Sequence, residues 1–172
     1  MKKIPCFILV GGRASRFGKD KTTLFYRFLY IKCRTIFKEV KFVAKRKKYR
    51  NYPFFIEKSR IYAPIFPLLE LLKKYPAVFI LSGDTPFLSS LQLGRLRSSL
   101  RVARGNPLVG VYLRKRDWYQ LKRRAQTDYR LQKIAPDIPI HSFQLENINT
   151  LEQWRKLKNF LPPYYKLIAR LK

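Results

Sequence analysis

An apolar run from Ile4 to Val10 ends at Gly11-Gly12 and gives way to a loop carrying Arg13, Arg16, Gly18, Lys19, Asp20 and Lys21, beyond which the chain reads as a helix. Two residues without Cβ let a buried strand turn sharply and let a ligand approach the backbone. Loop N–H groups and a helix N-terminus both favour anions, so strand, glycine-rich cationic loop and helix in that order suit a phosphate. The loop lacks the G-x-x-x-x-G-K-[ST] of a Walker motif and the G-x-G-x-x-G of a dinucleotide site. Taken alone, Gly-Gly followed by charges is equally the pattern of a basic surface turn.

The alternation continues. Leu24, Phe25, Phe28, Leu29, Ile31 and Ile36 give Thr22–Phe37 the period of a helix packed on a sheet. Val40–Ala44 reads as a strand closed by the cationic Lys45-Arg46-Lys47-Lys48, and Pro53–Ile56 as another. Ile65–Lys74 reads as a helix opened by Pro64, where a missing N–H costs least. Ala77–Leu81 is continuously apolar between Pro76 and Gly83, the pattern of a central strand buried on both faces. Ser89-Ser90 can cap a helix running to about Leu100. The remainder predicts a strand at Leu108–Tyr112, helices at Arg116–Arg124 and Tyr129–Lys133, and a short strand at Ile140–Phe143. A last helix is expected over Leu151–Leu161, stopped by Pro162-Pro163. Strands alternating with helices imply one α/β domain over residues 1–172 with a mostly parallel sheet. Ligands of such sheets sit at the carboxyl ends of the strands, which puts Gly11-Gly12 and Asp84 on one edge.

With 47% hydrophobic residues, 13 Phe and 11 Tyr, the chain can bury a core. No apolar run is long enough to cross a bilayer, so no membrane insertion is expected. Met-Lys-Lys before an apolar run imitates a signal peptide, but the run ends in a charged loop rather than a small-residue cleavage site. It therefore reads as the first strand of a cytoplasmic protein. Cys6 and Cys33 have no metal-like spacing and are expected as free, buried thiols. The single His141 and the absence of any C-x-x-C exclude a usual zinc centre, and no serine sits in a G-x-S-x-G. Lys and Arg number 38 against 10 Asp and Glu, a net charge of +28 that attracts any polyanion. These cations are spread along the chain, which favours a general field over a dedicated nucleic-acid arm.

Against that basic background two further segments carry chemistry. In Ser82-Gly83-Asp84-Thr85-Pro86-Phe87-Leu88 a carboxylate ends a buried strand, a placement that suits a hard cation such as Mg²⁺ and equally an Asx turn. In Glu146-Asn147-Ile148-Asn149-Thr150-Leu151 two amides one residue apart point to the same side of an extended segment. They could meet phosphate, ribose or pterin groups, or could simply cap the last helix.

From Ile4 to Trp154 these segments resemble the molybdenum cofactor guanylyltransferase family. Its N-terminal signature, L-A-G-G-x-S-x-R-M-G-x-D-K, is matched by Leu9, Gly11, Gly12, Ser15, Arg16, Gly18, Asp20 and Lys21, with Val10 and Phe17 at the alanine and methionine places. Asp84-Thr85-Pro86-Phe87 is similar to its D-T-P-[FY] segment. Asn147 to Thr150 is similar to its N-[IF]-N-T-P, with Leu151 for proline, and Asn106 to Tyr112 to its H-P-L-x-G-x-Y, with Asn106 for histidine. The resemblance implies a Rossmann-like three-layer sandwich that transfers GMP from Mg-GTP to Mo-molybdopterin and releases pyrophosphate. It implies nucleotide contacts from Leu9, Val10, Gly11, Gly12, Ser15, Lys21, Glu57 and Asp84. Lys21 and Arg16 would neutralise the triphosphate, Asp84 would hold Mg²⁺, and Asn106, Asn147 and Asn149 would line the acceptor side. A molybdopterin-delivery protein and acceptor molybdoenzymes or their chaperones are the protein partners it implies.

The chain departs from the family where the base is held. Val43, with Lys45 close by, stands near the place of an asparagine after the second strand. Glu57 stands near that of an aspartate, and Ala63-Pro64-Ile65-Phe66-Pro67 replaces a G-P-L-x-G turn. A carboxylate at Glu57 could accept from the N1 and N2 donors of guanine. The departures leave CTP, or another small phosphate acceptor, as an alternative. A non-catalytic, basic nucleic-acid-binding derivative of the fold is a third reading, opposed by the two carboxylates Asp20 and Asp84 inside the motifs.

Overall fold

The computed structural model describes residues 3–11, 21–163 and 165–166, with the backbone alone at residue 21. Its strands are β1 (Cys6–Leu9), β2 (Val40–Ala44), β3 (Phe54–Ile56), β4 (Ala77–Ser82), β5 (Val102–Ala103), β6 (Asn106–Leu113) and β7 (Asp137–Ile138). Its helices are α1 (Tyr26–Arg34), preceded by a 3₁₀ turn at Lys21–Leu24, α2 (Ile65–Lys74), α3 (Ser90–Ser99), α4 (Arg114–Arg124) and α5 (Leu151–Leu157). The strands form one sheet in the order β3-β2-β1-β4-β6-β5-β7. The first four are mutually parallel, and β6 is antiparallel to both β4 and β5.

Side chains alternate across a strand, so each apolar run feeds two cores. Cys6 and Ile8 of β1, Phe42 of β2 and Phe79 and Leu81 of β4 meet Phe28, Leu29 and Cys33 of α1 and Leu93 and Leu96 of α3. On the other face Phe7, Val43, Val78 and Ile80 meet Ile65, Leu68, Leu71 and Leu72 of α2 and Leu121 of α4. The result is the expected three-layer α/β sandwich. Cys6 and Cys33 are free and buried, and burial, helped by hydrogen bonding to Cys33, pushes the Cys6 thiol up.

From β1 the chain moves outward to β2 and β3, then returns past β1 to β4. The neighbours β1 and β4 therefore flank the point where strand order reverses, where open α/β sheets open a crevice at their carboxyl ends. Leu9 stands in register with Ser82, so both strands stop at one level.

Two expectations fail. Tyr129–Lys133 is a loop, because Tyr129 and Lys133 both take left-handed backbone conformations (φ 59° and 60°) that end helical continuation. Ile140–Phe143 is not a strand; a 3₁₀ turn occupies Ser142–Leu145. The two-residue β5 and β7 had no sequence signal, and the final helix tightens to a 3₁₀ turn at Lys158–Phe160. No helix among the described residues is long and apolar enough to cross a membrane.

Candidate active site

At the switch point β4 runs hard against β1. The Gly83 N–H donates to the Leu9 carbonyl at 2.9 Å, and a Cβ on Gly83 would stand 2.6 Å from that same oxygen. Only glycine lets the chain leave β4 so close to the end of β1, and the next residue is Asp84. The expected meeting of the Gly11 and Asp84 segments on one edge is thus met.

Asp84 sits on a turn held from several sides. Ser82 Oγ donates to Asp84 Oδ1 at 2.5 Å. Thr85 Oγ1 donates to the Ser82 carbonyl at 2.8 Å, and the Ile148 N–H donates to the Asp84 carbonyl at 3.0 Å. Below the turn lies Lys32 of α1, 7% exposed, whose ammonium donates to the carbonyls of Pro86 and Leu88, both at 2.8 Å. Its Nζ also lies 4.0 Å from the centre of the Phe28 ring. Burial pushes the Lys32 pKa down to about 8, so the group remains an ammonium at neutral pH.

Glu57 enters from the opposite side. It follows β3 directly, and its N–H donates to the Ala44 carbonyl at 3.1 Å. A Cβ on Gly11 would lie 3.4 Å from Glu57 Oε1, so the carboxylate stands beside the start of the glycine-rich loop. Its side chain is 8% exposed and pairs with Lys45 Nζ at 3.6 Å. Burial raises the Glu57 pKa, and Lys45 partly opposes that rise. Lys45 also donates to the Ser59 and Ile61 carbonyls and lies 4.5 Å from the Tyr62 ring centre. Glu70 of α2 accepts from the Lys58 and Ser59 N–H groups, fixing the same loop from beneath.

The described ends of the glycine-rich loop are gripped by two adjacent residues. Lys48 donates to the Val10 carbonyl at the entry, and the Tyr49 hydroxyl bonds Thr22 Oγ1 at 2.6 Å at the exit. Tyr49 is buried, stacked on Tyr26 with ring centres 3.9 Å apart. Leu9, Val10 and Gly11 lie at the end of β1 as expected. Gly12, Ser15, Arg16 and the Lys21 side chain lie outside the described residues.

The three asparagines separate in role. Ile148 is fully buried, and its bond to Asp84 brings the segment of Asn147 and Asn149 to the β4 turn. Neither asparagine caps α5. The cap is Thr150, in a capping box with Gln153, whose side chain also accepts from the Asn149 N–H at 2.8 Å. The buried Asn147 Oδ1 has no hydrogen-bond partner among the described residues. Asn106 opens β6, which runs antiparallel to β4, so it too lies at the carboxyl edge. Its Oδ1 accepts from the Leu108 N–H at 3.1 Å, shaping its own turn.

Among the described residues no cluster of three or more His, Cys, Asp or Glu forms a closed metal cage. Mg²⁺ is commonly held by one or two carboxylates and completes its shell with waters and substrate phosphates. Asp84 is a carboxylate at the carboxyl edge of the sheet, just beyond β4.

Lys32, Lys48, Tyr49 and Glu70 belong to none of the sequence motifs. Lys32 had a readable signal: it falls in the apolar stripe Phe25, Phe28, Leu29, Cys33 of its helix, where a solvated lysine does not belong.

Residues 6–136 match the model of the MobA-like NTP transferase domain. A protein of Aquifex aeolicus named as a probable molybdenum cofactor guanylyltransferase is 31% identical over 88% of this chain and 89% of its own length. A molybdenum cofactor guanylyltransferase of Campylobacter jejuni is 34% identical over 50% of this chain and 51% of its own. The crystal structure of a molybdopterin-guanine dinucleotide biosynthesis protein A from Archaeoglobus fulgidus superimposes with a TM-score of 0.74 at 17% identity, over 91% of this chain and 98% of that one, a likeness of fold.

Proposed function

Since the chain belongs to the MobA-like NTP transferase family and is a nucleotidyltransferase, we propose that it transfers GMP from GTP to the terminal phosphate of Mo-molybdopterin. The observation that carries this reading is the convergence of Gly11, Glu57 and Asp84 at the carboxyl ends of β1, β3 and β4. An oxygen of the acceptor phosphate attacks the α-phosphorus of GTP. The new O–P bond forms as the bond from that phosphorus to the bridging oxygen breaks, and its electron pair leaves on pyrophosphate. No side chain needs to act as nucleophile, so the protein contributes alignment and charge.

Each residue then has a task. The end of β1 and Gly11 let the triphosphate approach the backbone. Lys21 and Arg16 neutralise it and the departing pyrophosphate. Glu57 accepts from guanine N1–H and the N2 amine, a donor pair that cytosine does not present. Asp84 would hold Mg²⁺, which when bound would neutralise phosphate oxygens. Asn106, Asn147 and Asn149 border the acceptor, with the buried Asn147 Oδ1 offering an acceptor atom for a donor of the pterin. The reaction belongs in the cytoplasm, between a protein that delivers molybdopterin and the molybdoenzymes or chaperones that take the product. The +28 charge speeds capture of such anionic substrates and adds salt-sensitive, non-specific affinity for nucleic acid.

The test is pyrophosphate release by the purified chain with Mo-molybdopterin, Mg²⁺ and each of GTP, CTP and ATP. GTP is expected to turn over fastest and to yield the guanine dinucleotide. Faster turnover of CTP would overturn the base assignment, and no turnover with any nucleotide would overturn the reaction.

A further inference from the structure

We propose that Lys32 is a positioning residue for Asp84: a cation buried beneath the active-site turn whose two bonds to the carbonyls of Pro86 and Leu88 set where the Asp84 carboxylate stands. The inference rests on the metal role proposed for Asp84.

Residues 84 to 88 bridge the end of β4 and the start of α3 with no ladder of their own. The near end is tied by Thr85 to Ser82, and the far end by the Ser89 N–H to Gln144 Oε1 at 3.2 Å. Between them Pro86 and Leu88 are buried, and a buried carbonyl demands a partner. Lys32 supplies a partner to both, at 2.8 Å each. It reaches across from α1, which packs on the face of the sheet that carries Phe79 and Leu81. The brace thus joins the helix that follows the glycine-rich loop to the turn that carries the carboxylate.

The choice of residue is telling. Among the described residues no carboxylate pairs with Lys32; two backbone carbonyls, the Phe28 ring and the neighbouring Cys33 compensate it. A buried cation so compensated is a poor way to gain stability, since an apolar residue would fill an α1 core position at less desolvation cost. What the ammonium does that an apolar side chain cannot is grip two carbonyls of one turn at once. Without it those carbonyls must turn toward water, and the chain from Asp84 onward moves with them. Groups that orient a metal ligand in this way commonly change metal affinity or activity when replaced.

The experiment compares wild type, Lys32→Met, Lys32→Gln and Asp84→Asn as full chains. Turnover is followed against Mg²⁺ at saturating GTP and Mo-molybdopterin, KM for GTP is taken at saturating Mg²⁺, and thermal unfolding is recorded in parallel. Lys32→Met is expected to raise the Mg²⁺ concentration for half-maximal turnover by about tenfold and to lower kcat, as replaced outer-shell groups do. KM for GTP should stay within about a factor of two. Lys32→Gln, whose shorter amide reaches one carbonyl, should fall between the two. A folded Lys32→Met with wild-type Mg²⁺ dependence and kcat, changed only in melting temperature, overturns the proposal. Should Lys32→Met fail to fold, a wild-type Mg²⁺ curve for Lys32→Gln overturns it. Asp84→Asn decides the parent reading separately: an unchanged Mg²⁺ dependence there removes the metal role of Asp84 and leaves the Lys32 brace to be judged by kcat alone.

Discussion

Glu57 and Asp84 occupy matching places, each just beyond the carboxyl end of a parallel strand, and the protein holds them by different means. Glu57 is fixed through its side chain: the carboxylate is buried, paired with Lys45 and set against Gly11. Asp84 is fixed through the backbone around it. The Ile148 N–H donates to its carbonyl, Lys32 donates to the carbonyls of Pro86 and Leu88, and Ser82 donates to its carboxylate. A group that reads a base gains from a rigid, partly desolvated acceptor, because the wrong partner then leaves it unpaired. A group that holds a metal must instead present its oxygens to an ion that arrives with the substrate, so its scaffold is made firm and its head is kept accessible. The difference suits the roles proposed above, recognition for Glu57 and charge for Asp84.

The comparison can be broken most forcefully at Asp84. Asp84→Asn should lower turnover by roughly 10²–10³-fold, the scale of losing one element of transition-state charge stabilisation, with little change in melting temperature. Steady-state pyrophosphate release gives the number, and a loss under tenfold would put Asp84 back among turn residues.

The braces themselves titrate. Lys32 has an ordinary pKa of 10.5 and a folded value of about 8, so between those values the unfolded chain binds the extra proton. Its contribution to stability is therefore fully present above pH 10.5 and lost as pH falls through about 8, with a ceiling of about 3 kcal/mol. Denaturant melts of wild type and Lys32→Met from pH 7 to 10.5 should converge upon this window, with the variant lacking the rise. Glu57 runs the other way. Its raised pKa means that burial of the carboxylate costs stability once it ionises, and that guanine recognition should fade on acidification at a higher pH than for an ordinary glutamate.

Gly83→Ala tests the close approach of β4 to β1. With a Cβ directed at the Leu9 carbonyl something must shift, and overpacking of this kind costs about 1–3 kcal/mol. Urea melts should show it, with loss of activity in proportion to displacement of the Asp84 turn. The smallest effect is expected of Tyr49→Phe, which removes one buried hydroxyl bond to Thr22 and should cost about 1 kcal/mol, read as a modest rise in KM for GTP.

Much of this is legible in the sequence. The runs at Val40–Ala44 and Ala77–Leu81 are strands because no other element buries continuous apolar residues so briefly, and Pro64 and Ser89 mark the starts of α2 and α3 where expected. The direction of β6 was not legible, since an apolar run reads the same whichever way it is laid. Nor were β5 and β7, two residues each, or the left-handed Tyr129 and Lys133 that turn a helical-looking stretch into a loop. At the site, Gly11, Glu57 and Asp84 announced themselves as ends of runs or motifs. Lys48 and Tyr49 did not, and Lys32 showed only as a lysine in an apolar stripe, because what all three do depends on carbonyls and hydroxyls dozens of residues away that only the folded sheet brings near.

The central claim, that Glu57 reads the base while Asp84 serves the phosphates, is tested most directly by single-turnover pyrophosphate release with GTP and with CTP for wild type, Asp84→Asn and Glu57→Gln. The account predicts that Asp84→Asn depresses both nucleotides alike and preserves their ratio. It predicts that Glu57→Gln lowers the GTP rate at subsaturating nucleotide by about tenfold, the worth of a charge-assisted bond, while leaving CTP unchanged. An unchanged GTP-to-CTP ratio in Glu57→Gln, or a ratio altered by Asp84→Asn, would contradict it.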